Sequence, residues 1–144
     1  MDNLHNYNNI KFRMDKSVDL SDLVTRKGNS DAPFRRQIDL WWSGFIIGMR
    51  MDRKADLNTI ETTEVEFVSH IFAQDLWRLA VIETFAIGKE GQDILTSPQN
   101  VIRLANEYAL FGVKKISTFV QGETDALQSI LVDPTAFFTE RLSI

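Results

Sequence analysis

The 144-residue chain contains no cysteine. Without thiols there is no disulfide, no thiolate zinc or iron–sulfur site and no cysteine nucleophile, and the absence fits a reducing compartment. The most apolar run, from Leu40 to Met49, is about half as long as the ~20 residues that a membrane-spanning helix needs. We therefore predict a cytoplasmic protein with no membrane partner.

The first nine residues are polar and rich in asparagine. They lack the basic and then apolar layout of a secretory signal. We expect residues 1–9 to be flexible and residues 10–144 to form a single helical domain, because a chain of this length can bury one continuous core.

Charge of the two signs is unevenly distributed. The total is −4, but residues 1–54 carry ten lysines and arginines against seven acidic residues, whereas residues 55–144 carry six against thirteen. This asymmetry permits an anionic partner near the N-terminal half. Chance clustering of charge on a solvated surface is the alternative.

Two short segments alternate in the way that half-buried strands do. Ile10 to Met14 places apolar residues on one side and Lys11 and Arg13 on the other, which predicts a strand with a basic outer face. Residues 62–67 alternate too, and they fit either a strand paired with residues 10–14 or the start of a helix. The predicted fold is therefore mainly α, a compact multi-helix domain with a possible two-stranded element near residues 10–14 and 62–67.

The clearest helix is predicted over residues 33–49, with Asp31 as its cap and Pro33 in its first turn. Apolar residues follow helical spacing and then widen until nearly all sides of the second half are apolar. Such a helix is either central in its domain or covered by another subunit. The predicted interface consists of Trp41, Trp42, Phe45 and Ile46.

Glycine and proline divide the rest of the chain into helices. Gly44 and Gly48 stand one turn apart, which would let a second backbone approach closely. A helix after Asp75 should stop at Gly91, and another should begin at Ser97-Pro98 and end near Gly112. Shorter helices are expected to follow, one ending at Gly122, one over residues 124–132 and one after Asp133-Pro134.

Residues suited to catalysis are few. The two histidines are His5 and His70, and Glu66 with His70 has the spacing of two metal ligands on a helix but no second copy. Glu83 lies in an apolar helix, where burial would make it an acid or base unless Arg78 or Arg103 paired with it. We therefore predict no metal, no cofactor and no catalytic residue, and an enzyme using Glu83 or His70 ranks third.

Basic residues suggest a second possibility. Arg35 and Arg36 would open the main helix, where cations oppose the helix dipole but free N–H groups attract anions. An ion pair of Arg35 with Asp39 is the simpler explanation. A candidate anion or nucleic-acid site comprises Lys11, Arg13, Lys27, Arg35 and Arg36.

A basic strand followed by helices resembles the ribbon-type DNA-binding proteins, in which paired strands enter the major groove. The likeness covers about forty residues, and the acidic C-terminal half departs from it. Our first hypothesis is a non-enzymatic helical interaction module that binds itself or another protein in a larger complex. The alternative is a nucleic-acid-binding accessory protein of the DNA-modification or defence type.

Overall fold

The computed structural model describes residues 7, 10–25, 32–64 and 76–122. Several predictions lie outside these residues. They concern the helices beyond Gly122, the caps at Asp31 and Asp75, and the side chains of His5, Lys27, Glu66 and His70.

The described part of the chain is mainly helical and contains one small sheet, as predicted. Its helices are α1 (Gln37–Met51), α2 (Leu76–Glu90) and α3 (Pro98–Gly122), its strands are β1 (Arg13–Asp15) and β2 (Thr62–Glu64), and short 3-10 helices cover Leu20–Asp22 and Gln92–Thr96. Among these helices, none combines the length and the apolar character that crossing a bilayer requires.

The strands β1 and β2 pair antiparallel, with Met14 opposite Thr63. The alternation in the sequence is confirmed, since Phe12 and Met14 are buried while Lys11 is exposed. The choice left open for residues 62–67 is thereby decided for residues 62–64, which form a strand.

The predicted start of the main helix at Pro33 is wrong. The backbone of Phe34 is extended and bonded on both sides: its N–H donates to Leu23 (3.0 Å) and its carbonyl accepts from Thr25 (2.8 Å). Arg36 is also extended, with φ −135° and ψ 155°, and α1 begins only at Gln37. Arg35 and Arg36 therefore precede the helix and do not lie in its first turn, because pairing with the segment before it holds this stretch open.

The helices α1 and α3 cross with their backbones in contact. A Cβ on Gly44 would lie 2.5 Å from the Ala109 carbonyl oxygen, and a Cβ on Gly112 would overlap the carbonyl oxygen of Gly44. A Cβ on Gly48 would likewise overlap the Tyr108 carbonyl. The close approach expected at Gly44 and Gly48 is confirmed, and α3 supplies the second backbone.

This crossing also explains why the predicted helix end at Gly112 is wrong. The helix α3 continues without a break from Pro98 to Gly122, so the two short helices expected here are one. Gly112 lacks a side chain because Gly44 occupies that space, and a glycine needed for contact looks in sequence like a glycine that ends a helix.

The core surrounds the crossing, with Trp41 at its centre. The Trp41 ring meets Phe12 edge-on at 4.7 Å and stacks on Phe45 at 5.8 Å, measured between ring centroids. Tyr7 also belongs to this core, with an exposed fraction of 4%. Tyr7 is the one residue of the predicted flexible segment 1–9 that the structure describes, and its ring supplies apolar area to the core.

The helix boundaries at Gly91 and Ser97-Pro98 are confirmed. Gly91 follows α2 with φ +89°, a backbone conformation that favours glycine. The Ser97 carbonyl accepts the N–H groups of Asn100 and Val101 as α3 begins. The first helix, α1, ends at Met51, and the residue after it, Asp52, is left-handed at φ 53° and forms an ion pair with Lys89 of α2.

The glycines of the crossing should not tolerate alanine. Although alanine favours a helix by about 1 kcal/mol over glycine, Gly112→Ala should destabilise the fold by a net ~1–3 kcal/mol through overpacking. The control is Gly88→Ala in α2, where no described atom lies within 4 Å of the added Cβ, and which should be neutral or stabilising. Urea unfolding followed by circular dichroism measures both, and equal effects would contradict the crossing.

The ion pair of Asp52 and Lys89 should make the free energy of unfolding depend on pH in the acidic range. The hydrogen bond from Lys89, and then its charge, lower the pKa of Asp52. A carboxyl group whose pKa is lowered on folding contributes its full stabilisation of the fold at pH values above its unfolded pKa of about 3.9. That stabilisation is lost as the pH falls through the pKa of the folded state. Asp52→Asn, which tolerates the left-handed backbone, should be less stable than the parent at neutral pH.

The stability difference between the parent and Asp52→Asn should shrink in urea titrations carried down to about pH 3. Lys89→Met should behave alike, and the double variant should lose little more than either single one. A difference that stays constant with pH would contradict a role for this ion pair.

Candidate functional site

The structure divides the predicted interface in two. Trp41 and Phe45 are fully buried, each with an exposed fraction of 0%, so assigning them to an interface is wrong. They lie on the side of α1 that faces Phe12 and α3. Trp42 and Ile46, one turn apart on another side of α1, are partly exposed while packing against the core.

Two residues of α2 extend the exposed apolar area beside Trp42. Leu76 and Trp77 are the exposed large apolar residues of the described part of the chain, with exposed fractions of 51% and 56%. The rings of Trp42 and Trp77 meet edge-on with centroids 5.4 Å apart. We call Trp42, Ile46, Leu76 and Trp77 the tryptophan surface.

Arg78 holds the two rings together. Its guanidinium carbon lies 5.4 Å from the ring centroid of Trp42 and 5.4 Å from that of Trp77, within the range of cation–π attraction. Arg78 Nη2 also lies 3.6 Å from Asp39 Oδ1. The tryptophan surface is therefore preorganised by a cation that is itself anchored to α1.

Asp39 also binds Arg36, not Arg35 as predicted. The Arg36 guanidinium donates from Nε to one Asp39 oxygen at 3.1 Å and from Nη2 to the other at 3.0 Å. The expected pairing failed because it assumed a helix already formed at Arg35, whereas α1 starts at Gln37. Such bidentate pairing uses the anion-binding capacity of Arg36 locally.

An apolar groove of about 430 Å³ continues from the tryptophan surface along α2. It is lined by Met49 from α1 and by Ala80, Val81, Thr84 and Phe85 from α2. Its position follows from helix geometry, since Val81 lies one turn beyond Trp77 on the same face. A protruding ring and a groove thus adjoin on one side of the molecule.

The sequence contained a signal for Trp77 that spacing alone did not resolve. The helix α2 has two apolar stripes, one through Leu76, Leu79 and Ala80 and one through Trp77, Val81 and Phe85. A single core covers only part of such a helix. The structure buries Leu79, Ile82 and Ala86, which leaves the N-terminal members of both stripes outside.

The predicted basic site is also divided. Lys11 and Arg13 line one pocket of about 460 Å³, together with Arg103 of α3, and we call it the basic pocket. Arg35 and Arg36 do not line this pocket. Arg103 was not predicted as a residue of this site, because its position in the sequence suggested only a pairing with Glu83.

A buried amide fixes residues 10–15, here called the β1 segment, which carry Lys11 and Arg13. The Asn106 Oδ1 accepts from the Arg13 backbone N–H at 2.9 Å and from Trp41 Nε1 at 3.1 Å. Its Nδ2 donates to the Lys11 carbonyl at 3.4 Å. Asn106 thus joins α3 to α1 and to the edge of β1, and it sets the position of the pocket.

Glu83 shows a structural contact. It accepts a hydrogen bond from the Tyr7 hydroxyl at 3.1 Å, and burial, followed by the charge of Glu83, raises the pKa of Tyr7. Of the partners proposed for Glu83, Arg78 contacts Asp39 and Arg103 lines the basic pocket. Within the described ranges, no three histidine or acidic side chains group to hold a metal ion.

A further cavity, of about 660 Å³, lies between the β1 end and α3. Asp15 in its wall accepts the Ser17 N–H at 2.8 Å and the Ser17 hydroxyl at 2.7 Å. Lys114 donates to the same hydroxyl at 3.3 Å. These hydrogen bonds close a turn after β1. The Ser17 hydroxyl already donates to the Asp15 carboxylate within that turn.

Comparison with models of known protein families, with curated proteins and with solved structures gives no match to this chain. Its function must therefore be inferred from the tryptophan surface and the basic pocket themselves.

Replacing Asn106 should weaken the whole described fold. Asn106→Leu leaves the Trp41 indole N–H and the Arg13 amide buried without an acceptor, which should cost about 2–4 kcal/mol in urea unfolding. In a Trp41→Phe background one donor is already gone, so the same substitution should cost about 1 kcal/mol less. Asn100→Leu, at an exposed position of the same helix, is the control, and a penalty as large there would contradict this role.

Proposed function

We propose that this protein is a non-enzymatic helical interaction module that self-associates through the tryptophan surface. The observation that supports this most strongly is the exposure of Trp77 and Leu76, at 56% and 51%, directly beside the partly exposed Trp42. Contiguous apolar patches of this kind mark interaction sites in soluble proteins. The absence of cysteine is consistent with a cytoplasmic setting.

Burial of the exposed parts of these side chains would favour association. Burying a large apolar side chain contributes about 1.5–3 kcal/mol relative to leaving it exposed, and the surface offers both Leu76 and Trp77. Tryptophan and arginine are the residues that most often dominate binding energy at interfaces. Arg78 supports this because it fixes both rings before any partner binds, which lowers the entropy lost on association.

A second copy of the chain is the partner that the shape of this surface favours. In a twofold interface, each residue that contacts the partner is contacted in return. Here a protruding Trp77 and an apolar groove around Val81 lie one helical turn apart on the same face. In the proposed dimer, the ring of one copy enters the groove of the other, and the reciprocal contact forms at the same time.

Removing the protruding ring should abolish self-association. The parent should form a concentration-dependent dimer in analytical ultracentrifugation. Trp77→Ala should remain monomeric with only a small loss of thermal stability, because the ring is more than half exposed and loses only its contacts with Trp42 and Arg78. Phe111→Ala, a partly exposed aromatic position of α3 away from this surface, should still dimerise. A parent that stays monomeric at the highest attainable concentration contradicts self-association.

The reciprocal geometry has its own test within the same experiment. Val81→Asp puts a charge into the groove and should also give monomers. Mixing Trp77→Ala, which keeps the groove, with Val81→Asp, which keeps the ring, restores one of the two contacts, so the mixture should associate more than either variant alone. No recovery in the mixture would argue against ring-in-groove packing.

A further inference from the structure

The basic pocket gathers positive charge in a chain that is acidic overall. Its walls include Lys11 and Arg13 from the β1 segment and Arg103 from α3. No carboxylate lines it, although the net charge of the chain is −4. Two segments distant in sequence thus supply the cations of one concave site.

These cations are not used in local ion pairs within the part of the chain that is described. The salt bridges found there join other residues, namely Lys16 with Glu61, Arg36 and Arg78 with Asp39, and Lys89 with Asp52. Arg13 stands opposite Glu64 in the β1–β2 register, yet no ion pair joins them. A group of unpaired cations in a concave site attracts an anion.

The remaining wall is suited to more than a simple ion. Asn58, Thr62 and Gln99 contribute polar side chains, and Ile10, Leu57 and Ile102 contribute apolar area. A volume of about 460 Å³ lies within the roughly 300–1,000 Å³ of small-molecule sites. The lining is thus able to hold a charged group together with the organic body that carries it.

The site is also fixed before a ligand arrives. Asn106 binds the Arg13 N–H and the Lys11 carbonyl and is itself 97% buried, with an exposed fraction of 3%. The backbone beneath both cations therefore cannot shift without breaking buried hydrogen bonds. Glu90 and Glu107 border Arg103 in an adjacent pocket, where they repel an anion and so confine it to the side of Lys11 and Arg13.

We propose that this pocket binds the phosphate group of a nucleoside phosphate, with Arg13, Arg103 and Lys11 on the phosphate and the amides of Asn58 and Gln99 near the organic body. Arginine suits this role because its planar guanidinium donates two parallel hydrogen bonds to phosphate. The inference is independent of the tryptophan surface, whose residues are not among those lining this pocket.

Isothermal titration calorimetry on the full chain tests the proposal with three probes, ADP, inorganic pyrophosphate and a short single-stranded oligonucleotide. ADP should bind, more tightly than pyrophosphate, and its affinity should fall with added salt because screening weakens the contacts. The double variant Arg13→Gln with Arg103→Gln should reduce ADP affinity at least tenfold. Arg35→Gln, which removes an exposed cation outside the pocket, should bind ADP as the parent does.

Circular dichroism first establishes that each variant is folded, so that a loss of binding reflects the pocket and not unfolding. Oligonucleotide binding that the same double variant abolishes would support the site and identify its nucleoside phosphate as part of a nucleic acid. Failure of both ADP and the oligonucleotide to bind the parent would overturn the proposal. An equal loss in Arg35→Gln would overturn it too, because binding would then follow total charge and not this pocket.

Discussion

The direct contact of two backbones, where Gly44 of α1 meets Gly112 of α3, is the constraint on which the rest of the described structure depends. Helices this close have no room for side chains at the crossing, so large residues pack around it and their relative positions are fixed. Trp41 is thereby brought to Asn106, and Asn106 in turn holds the β1 segment. A contact without side chains thus sets the geometry of the core and of the basic pocket.

The same constraint explains why one side of α1 remains available. The side of α1 that carries Trp41 is covered by α3 and Phe12. Trp42, about 100° further around the helix, packs instead against Trp77 of α2. The α2 helix uses Leu79, Ile82 and Ala86 for its own burial, and its first turn extends past the core. The apolar character of α1 on all sides, visible in the sequence, is therefore divided between an interior half and a surface half.

Local patterns predicted the elements of the fold well, whereas contacts between distant residues were beyond them. Alternation identified the strand near Met14, and glycine and serine–proline signals gave the end of α2 and the start of α3. The start of α1 was misplaced because pairing of Phe34 with Leu23 and Thr25, which no local pattern records, overrides the helix signal of Pro33. Trp77 and Arg103 were missed as site residues for a related reason, since exposure and convergence arise only when helices pack.

The three tryptophans differ in their exposure to solvent, so their fluorescence can report on different parts of the molecule. Trp41 is fully enclosed, Trp42 is intermediate and Trp77 is more than half open to solvent, at 56%. An aqueous quencher therefore reaches the emission of Trp77 first and that of Trp41 only after the core opens. Intrinsic fluorescence thus reports events at the surface separately from unfolding of the interior, without any label.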